Sequence, residues 1–165
     1  MGMSSARNCS RLSASRSWRK LGGMRETPES IAAAAAAAHD RIKSMIRRTP
    51  VERAGTLSAD VGGDVYLKLE NLQHTGSFKL RGASNRVLTL STAERERGCV
   101  VASSGNHGAA VAYALDKLGA PGIIFVPEKT SAVKVDVIRR YGGDVRFFGN
   151  DGLDTELHAR TYADE

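Results

Sequence analysis

The sequence predicts an α/β fold, in which a parallel three-layer sheet carries helices on both faces. Two observations predict it: strand-like and helix-like segments alternate regularly after residue 98, and the links between them are short and rich in glycine. Because a helix separates each strand from the next, this order is typical of parallel sheets with right-handed connections. The 165 residues are enough for one domain, or for one and a part.

The first predicted element is a helix over residues 27–48. Thr27 is a good capping residue, Pro28 suits the first helical position, and apolar residues then recur at helical spacing. The pair Thr49-Pro50 ends this helix. Alternation of apolar and polar residues predicts the next element, a strand over residues 65–69, and a polar loop then leads to a helix over residues 78–90.

From residue 99 onward, short apolar runs bounded by glycine or proline predict buried strands. In chain order this pattern predicts a strand over residues 99–102, a helix over 109–118, a strand over 123–126, a helix over 132–141, a strand over 145–148 and a helix that begins at 151.

The first 25 residues form a basic segment without acids, which we expect to be disordered. Six of the 24 Lys and Arg residues precede the first acid, Glu26, and the remaining 18 balance 18 acidic residues. The net charge of +6 therefore belongs to this extension and does not indicate a nucleic-acid-binding face. Its composition suits an organelle transit peptide, but an extension without a role, on a cytoplasmic protein, is the favoured interpretation.

The composition disfavours a disulfide framework, a metal site and a membrane-spanning helix. The two cysteines, Cys9 and Cys99, provide neither a disulfide framework nor the spacing of a metal site, so we predict no metal ligands. No apolar run approaches the roughly 20 residues that a membrane-spanning helix needs, so we predict no membrane partner.

The first loop that could carry chemistry reads Thr75-Gly76-Ser77-Phe78-Lys79. A helix N-terminus favours anions, so an amine placed there would favour its neutral form, which is the form that attacks a carbonyl group. On this local pattern alone, an exposed lysine with a structural role is the favoured interpretation, and a Schiff-base lysine is the alternative.

The second loop reads Ser103-Ser104-Gly105-Asn106-His107-Gly108 and lies between a predicted strand and a helix. Ligands of parallel sheets bind at the carboxyl ends of strands, and a helix N-terminus there can bind a carboxylate or a phosphate. We favour such an anion site over an ordinary turn capped by Ser103 or Ser104. A dinucleotide-binding domain is disfavoured because the three-glycine fingerprint is missing.

Together, and in this order, the two loops carry a resemblance to a known family. Residues 68–83, which read KLENLQHTGSFKLRGA, resemble the cofactor-lysine signature of the threonine/serine dehydratase and serine racemase family. Members of that family are fold-type II pyridoxal-phosphate (PLP) enzymes. Arg48-Thr49-Pro50, residues 103–108 and residues 134–143 are also similar to the family pattern, and the resemblance extends from about residue 39 to residue 149.

The resemblance implies a role for each matching residue. Lys79 would bind PLP covalently and later move the α-proton, Phe78 would pack beside the pyridine ring, and Asn106 would hydrogen-bond the phenolic oxygen of the cofactor. Ser103, Asn106 and His107 would hold the substrate carboxylate, largely through backbone groups. Ser104 matches the second acid–base group of the family's racemases.

The implied function is a PLP-dependent ammonia-lyase that converts L-threonine or L-serine into a 2-oxo acid and ammonia. A serine racemase and a non-catalytic, truncated α/β binding module are the alternatives. The implied partners are an amino-acid substrate and, in the full-length protein, a second copy of the chain. No nucleic acid is expected.

The resemblance also implies a truncated fold-type II architecture with an exposed apolar sheet face. It divides the chain into the basic extension (1–25), the N-terminal part of the large PLP domain (26–96), a small α/β domain (97–150) and the start of a return to the large domain (151–165). The family's glycine-rich phosphate loop and divalent-cation site would lie beyond residue 165.

Overall fold

The computed structural model describes residues 27–165, and the predicted extension over residues 1–25 lies outside them. The described part contains seven α-helices and five strands. In chain order they are α1 (Pro28–Ile42), β1 (Val51–Arg53), α2 (Gly55–Val61), β2 (Tyr66–Lys68), α3 (Lys79–Leu88), α4 (Thr92–Arg97), β3 (Cys99–Ala102), α5 (Asn106–Lys117), β4 (Gly122–Val126), α6 (Ala132–Arg140), β5 (Asp144–Phe147) and α7 (Gly152–Asp164). A short 3₁₀ helix, Glu70–Leu72, follows β2.

Strands β3, β4 and β5 form the predicted parallel sheet, in that order. Cys99 lies opposite Gly122 in one pair of strands, and Ile123 lies opposite Asp144 in the other. One face of the sheet packs against α5 and α6 through a buried cluster of Ala109, Ala112, Ile124, Val126, Val135 and Ile138. The other face packs against α7 through Val100, Ile123, Phe125, Ala159 and Ala163. The three-layer α/β architecture is thus confirmed.

Helices α3 and α5 pack against each other and form the largest buried cluster. It contains Met45, Leu80, Ala83, Val87, Leu90, Cys99, Val101, Ala110, Val111, Ala114 and Leu115. Helix α3 begins at Lys79 and helix α5 begins at Asn106, so both of the loops that the sequence singled out lead into this pair of helices.

Helix α1 begins as predicted and ends earlier than predicted. Thr27 and Ser30 form a reciprocal capping box at its start. The prediction that it runs to residue 48 is wrong, because the backbone of Arg47 bonds to the side-chain amide of Gln73 instead of continuing the helix. The Arg47 N–H donates to Oε1 of Gln73 at 2.8 Å, and Nε2 of Gln73 donates to the Arg47 carbonyl at 3.0 Å.

Two strands and two short helices differ from the sequence prediction. The predicted strand over residues 65–69 is reduced to β2, which pairs antiparallel with β1, a strand that the sequence analysis missed. The sequence analysis also missed helix α2. Its N-cap residue, Ala54, has no side chain that can form a capping hydrogen bond, so the sequence carries no capping signal for its start. Helix α4 was missed although Ser91 and Glu94 form a capping box at its start.

Apolar side chains on β1, α2 and β2 are exposed to solvent. They are Val51, Leu57, Val61, Tyr66 and Leu67, each more than 40% exposed. Between residues 27 and 165, no helix combines the length and apolar content needed to cross a membrane.

Candidate active site

Lys79 is the first residue of α3, and its side chain is exposed. Its ammonium nitrogen lies 4.9 Å from the centroid of the Phe78 ring, which is itself 61% exposed. The next residue, Leu80, is completely buried in the cluster between α3 and α5. Burial of Leu80 anchors the first turn of α3, while an amine and an aromatic face remain accessible beside each other.

The Ser103–Gly108 loop ends at the N-terminus of α5, as predicted, but the helix begins three residues before the predicted position. Gly105, and neither Ser103 nor Ser104, is the N-cap residue, and it makes no side-chain capping bond. The Ser103 hydroxyl instead accepts a hydrogen bond from the Gly105 N–H at 3.3 Å. The first N–H groups of a helix have no partner within the helix, so this turn can bind an anion.

Gly108 brings the first turn of α5 close to the end of β3. A Cβ atom at this position would lie 2.3 Å from the Ser103 carbonyl oxygen, which is closer than any side chain can approach. In contrast, a Cβ atom at Gly76, Gly82 or Gly105 would meet no atom within 4 Å. The backbone is therefore tight behind the loop, with open space at these three glycines.

His107 interacts electrostatically with Lys79, which places the two loops near each other. Crowding by protein atoms removes water from the His107 ring and lowers its pKa, and the positive charge of Lys79 lowers the pKa further, although part of the side chain remains exposed. A neutral imidazole is therefore favoured here. Ser103 and Ser104 are half-buried, and Asn106 is exposed in the first turn of α5.

A cavity of about 460 Å³ lies beside His107, at the carboxyl end of β3. Its walls come from α3, β3, α5 and α7, and they include Gly82, Arg86, Ala102, His107, Val111 and Glu156. Open sites at the carboxyl ends of parallel strands are where α/β proteins bind their ligands. Sequence analysis missed Arg86 and Glu156, because nothing in their local sequence indicates that α3 and α7 face the same space.

Two buried hydroxyl groups in the loop before Lys79 have no hydrogen-bond partner among the described residues. They are Oγ1 of Thr75 and Oγ of Ser77. Buried hydroxyls are normally satisfied, so this loop has donors and acceptors that are available to a bound molecule. Across residues 27–165, no group of three or more His, Cys, Asp or Glu residues is arranged to hold a metal ion.

Comparison with known proteins connects this geometry to a family. A sequence model described as "pyridoxal-phosphate dependent enzyme" matches residues 42–165. The L-threo-3-hydroxyaspartate ammonia-lyase of a Pseudomonas species is 41% identical over 128 residues, which cover 78% of this chain and 40% of that protein. The chain belongs to the family of pyridoxal-phosphate-dependent enzymes.

Two further relatives of this PLP enzyme family carry different activities in their names. The L-threonine ammonia-lyase of Thermotoga maritima is 44% identical over 109 residues, which cover 66% of this chain and 27% of that protein. The structure of maize serine racemase has a TM-score of 0.74 and 34% sequence identity, over 80% of this chain and 40% of that chain. The chain thus spans about two fifths, or less, of the length of these relatives.

The described residues fit the cofactor for which the PLP enzyme family is named. PLP has an aldehyde, an aromatic ring and polar substituents, and the site offers an accessible amine at Lys79 and an aromatic face at Phe78. The unpartnered hydroxyls of Thr75 and Ser77 add polar groups, and the space at Gly76 and Gly82 leaves room for a ligand. All of these groups lie at the start of α3 or in the loop before it.

Proposed function

We propose that the protein is a PLP-dependent ammonia-lyase that converts L-threonine or L-serine into a 2-oxo acid and ammonia. The observation that carries the proposal is the placement of Lys79 at the start of α3, within electrostatic range of His107 in the first turn of α5. The names of two relatives, both ammonia-lyases, support the same reaction class.

Each residue of the site has a proposed task. Bound PLP supplies the electron sink that stabilises the carbanion formed at Cα. Lys79 would hold the cofactor covalently and would move the α-proton, and Phe78 would pack beside its ring. Asn106 would donate a hydrogen bond to the phenolic oxygen of PLP. The backbone N–H groups at the start of α5, with Ser103 and His107, bind the substrate carboxylate, because a helix N-terminus stabilises an anion.

Two structural features support these tasks. The N–H groups of the first turn of α5 are not capped by a side chain, so they are available for a carboxylate. The lowered pKa of His107 keeps its ring neutral, so the imidazole adds no proton to the site while the backbone binds the anion. Loss of the α-proton and the β-hydroxyl, together one water molecule, would leave an enamine product. Hydrolysis of the released enamine by water would then give ammonia and 2-oxobutanoate from threonine, or ammonia and pyruvate from serine.

Reduction with borohydride followed by peptide mapping tests the assignment of Lys79. The complete gene product is incubated with PLP, reduced and digested, and the cofactor is expected on the peptide that contains Lys79. The Lys79→Ala variant is expected to lose the absorbance of protein-bound PLP, and a control variant, Lys134→Ala, alters an exposed lysine of α6 and is expected to retain it. Cofactor on a peptide without Lys79 would contradict the assignment.

A racemase is the second candidate, because Ser104 lies in the same loop and the fold is similar to that of maize serine racemase. A proton donor on the face opposite Lys79 would return a proton to Cα instead of allowing the hydroxyl to leave. Chiral analysis of the products from L-serine distinguishes the two candidates. The ammonia-lyase predicts pyruvate, which Ser104→Ala reduces little, and the racemase predicts D-serine, which Ser104→Ala abolishes.

The division into domains is part of the same proposal. We propose that residues 26–96 belong to a large PLP domain, that 97–150 form the small domain, and that 151–165 lead back toward the large domain. Self-association of the full-length protein and a cytoplasmic location also remain predictions. Complete failure of the gene product to take up PLP would instead favour the non-catalytic binding module.

A further inference from the structure

Basic side chains from several parts of the chain surround a second cavity of about 450 Å³, the cationic pocket. Its walls come from α1, the segment after α1, β2 and α3, and they are formed by His39, Lys43, Ile46, Arg48, Lys68 and Arg81. None of these wall residues is acidic, although residues 27–165 contain 18 Lys and Arg against 17 Asp and Glu. The concentration of positive charge is therefore local and does not follow from the overall composition.

Two of the four Lys and Arg side chains in the walls share a single carboxylate. Nη2 of Arg81 lies 2.7 Å from Oε1 of Glu70, and Nζ of Lys68 lies 3.9 Å from the same oxygen. Glu70 can balance only one of these two charges, and its side chain is only 15% exposed. Like charges held close together repel each other, so a bound anion would relieve this repulsion.

The other two cations have weaker partners or none among the described residues. Lys43 pairs with Asp40 at 3.7 Å, but the two side chains are 69% and 73% exposed, so solvent weakens this pair. Arg48 forms no ion pair with any residue between 27 and 165. Within that range, Glu70 and Asp40 are the acids that pair with the walls, and they leave two of the four charges unbalanced.

Hydrogen bonds hold part of the cationic pocket in place before any ligand binds. The hydroxyl of buried Thr49 donates to Oε1 of Glu70 at 2.6 Å, and its carbonyl accepts from Nζ of Lys68 at 3.1 Å. Because Thr49 directly follows Arg48, the same bonds fix the backbone from which the Arg48 side chain extends. Groups that are positioned in advance lose less conformational freedom when a ligand binds.

We propose that the cationic pocket binds an anion of the phosphate class with two or more negative charges, such as pyrophosphate. A single carboxylate would balance only one of the two surplus charges. A phosphate group carries more charge and accepts paired hydrogen bonds from a guanidinium, which the walls offer at Arg48 and Arg81. The inference does not depend on the proposed ammonia-lyase activity, because no residue with a proposed cofactor or substrate role lines this pocket.

Isothermal titration calorimetry with sodium pyrophosphate tests this inference. The complete gene product is first loaded with PLP, so that the cofactor occupies the active site, and all titrations are run at the same ionic strength. We expect one saturable site, whose affinity falls roughly tenfold in Arg48→Gln and in Lys43→Gln, because each variant removes one charge-assisted contact. Both side chains are exposed, so both variants are expected to fold. Arg139→Gln, which alters an exposed arginine of α6, should leave the affinity unchanged.

Parallel titrations define the ligand and the site. Glycerol 3-phosphate distinguishes a pocket that accepts phosphate esters from one that binds free inorganic anions, and binding of either supports the phosphate class. Succinate bound as tightly as pyrophosphate would contradict that class. The inference is wrong if wild type shows no saturable binding, or if Arg48→Gln and Lys43→Gln both bind pyrophosphate as wild type does. Neither result bears on the proposed activity, which the mapping of PLP to Lys79 tests separately.

Discussion

The carboxylate of Glu70 and the guanidinium of Arg81 form a two-point ion pair. Nε of Arg81 donates to Oε2 at 2.9 Å, and Nη2 donates to Oε1 at 2.7 Å. The Thr49 hydroxyl also donates to Oε1 of Glu70 at 2.6 Å, and the ammonium of Lys68 donates to the Thr49 carbonyl at 3.1 Å. These bonds connect the segments next to β1 and β2 to Arg81, which lies in α3 two residues after Lys79.

Neutralising Glu70 is expected to destabilise the protein. Its side chain is only 15% exposed and that of Arg81 is 25% exposed, so Glu70→Gln leaves a largely buried guanidinium without its counter-ion. We expect a loss of about 1–3 kcal/mol in the free energy of unfolding, after allowance for partial exposure. Urea denaturation measures this loss, and Glu52→Gln, an exposed carboxylate on β1, is the matched control. An equal loss in both variants would show that the network adds no stability.

The stabilisation that Glu70 provides is expected to depend on pH. The hydrogen bond from Arg81 is the main cause that lowers the pKa of Glu70, and Thr49 lowers it further. Because the pKa is lower in the folded state, the stabilisation is fully present above the unfolded pKa of about 4.3 and is lost as the pH falls through the folded value. The difference in unfolding free energy between wild type and Glu70→Gln should therefore shrink in acid. A constant difference would contradict this assignment.

Gly108 is expected to tolerate no side chain. An alanine Cβ there would lie 2.3 Å from the Ser103 carbonyl oxygen and 3.3 Å from Cδ1 of Ile138. Overpacking against backbone costs about 1–3 kcal/mol, so Gly108→Ala should lower the melting temperature and displace the loop before α5. Gly105→Ala is the control, because its Cβ would meet no atom within 4 Å. Equal melting temperatures for the two variants would exclude a tight contact at Gly108.

The charge of Lys79 is expected to be detectable at His107. Desolvation lowers the pKa of His107 most, and Lys79 lowers it further, so removing the ammonium should raise the pKa of His107 toward its ordinary value. NMR titration of the His107 ring in wild type and in Lys79→Gln measures the change without any substrate or cofactor. Lys129→Gln, an exposed lysine after β4, should leave the titration midpoint unchanged. No change in Lys79→Gln would indicate that the two loops lie farther apart than described.

Tyr141 is expected to hold the loop that leads to Lys79. Its hydroxyl donates to the His74 carbonyl at 2.6 Å, and the His74 ring stacks on Tyr113 with centroids 5.2 Å apart. Tyr141→Phe should cost about 0.5–1.5 kcal/mol of unfolding free energy and should speed amide exchange in the loop around His74. Tyr66→Phe, which alters a ring 59% exposed on β2, should change neither quantity.

Local signals account for what could be predicted. The strands β3, β4 and β5 were placed within one residue, because each is a short apolar run between glycines or prolines. The start of α1 was placed by its capping residue, Thr27. The missed elements either have no such signal, as at Ala54 before α2, or are too short to show periodicity, as in α4.

The end of α1 shows why the rest could not be predicted. Gln73 lies 26 residues after Arg47 in sequence, yet it supplies the hydrogen bonds that replace the helix. The early start of α5 has a similar cause, since the fit of Gly108 against Ser103 depends on packing between a helix and a strand end. The apolar periodicity of α1 and α5 contains no sign of the Gln73 hydrogen bonds or of the close approach between Gly108 and Ser103.

The sequence by itself determined the layered α/β architecture and the two loops of the candidate site, because both depend on residue types at short spacing along the chain. Tertiary structure alone decided which side chains from distant segments meet. It paired Glu70 with Arg81, brought the charge of Lys79 within range of His107, and placed Glu156 of α7 in the cavity beside His107. These contacts follow from how buried faces pack, and packing depends on the whole set of apolar surfaces.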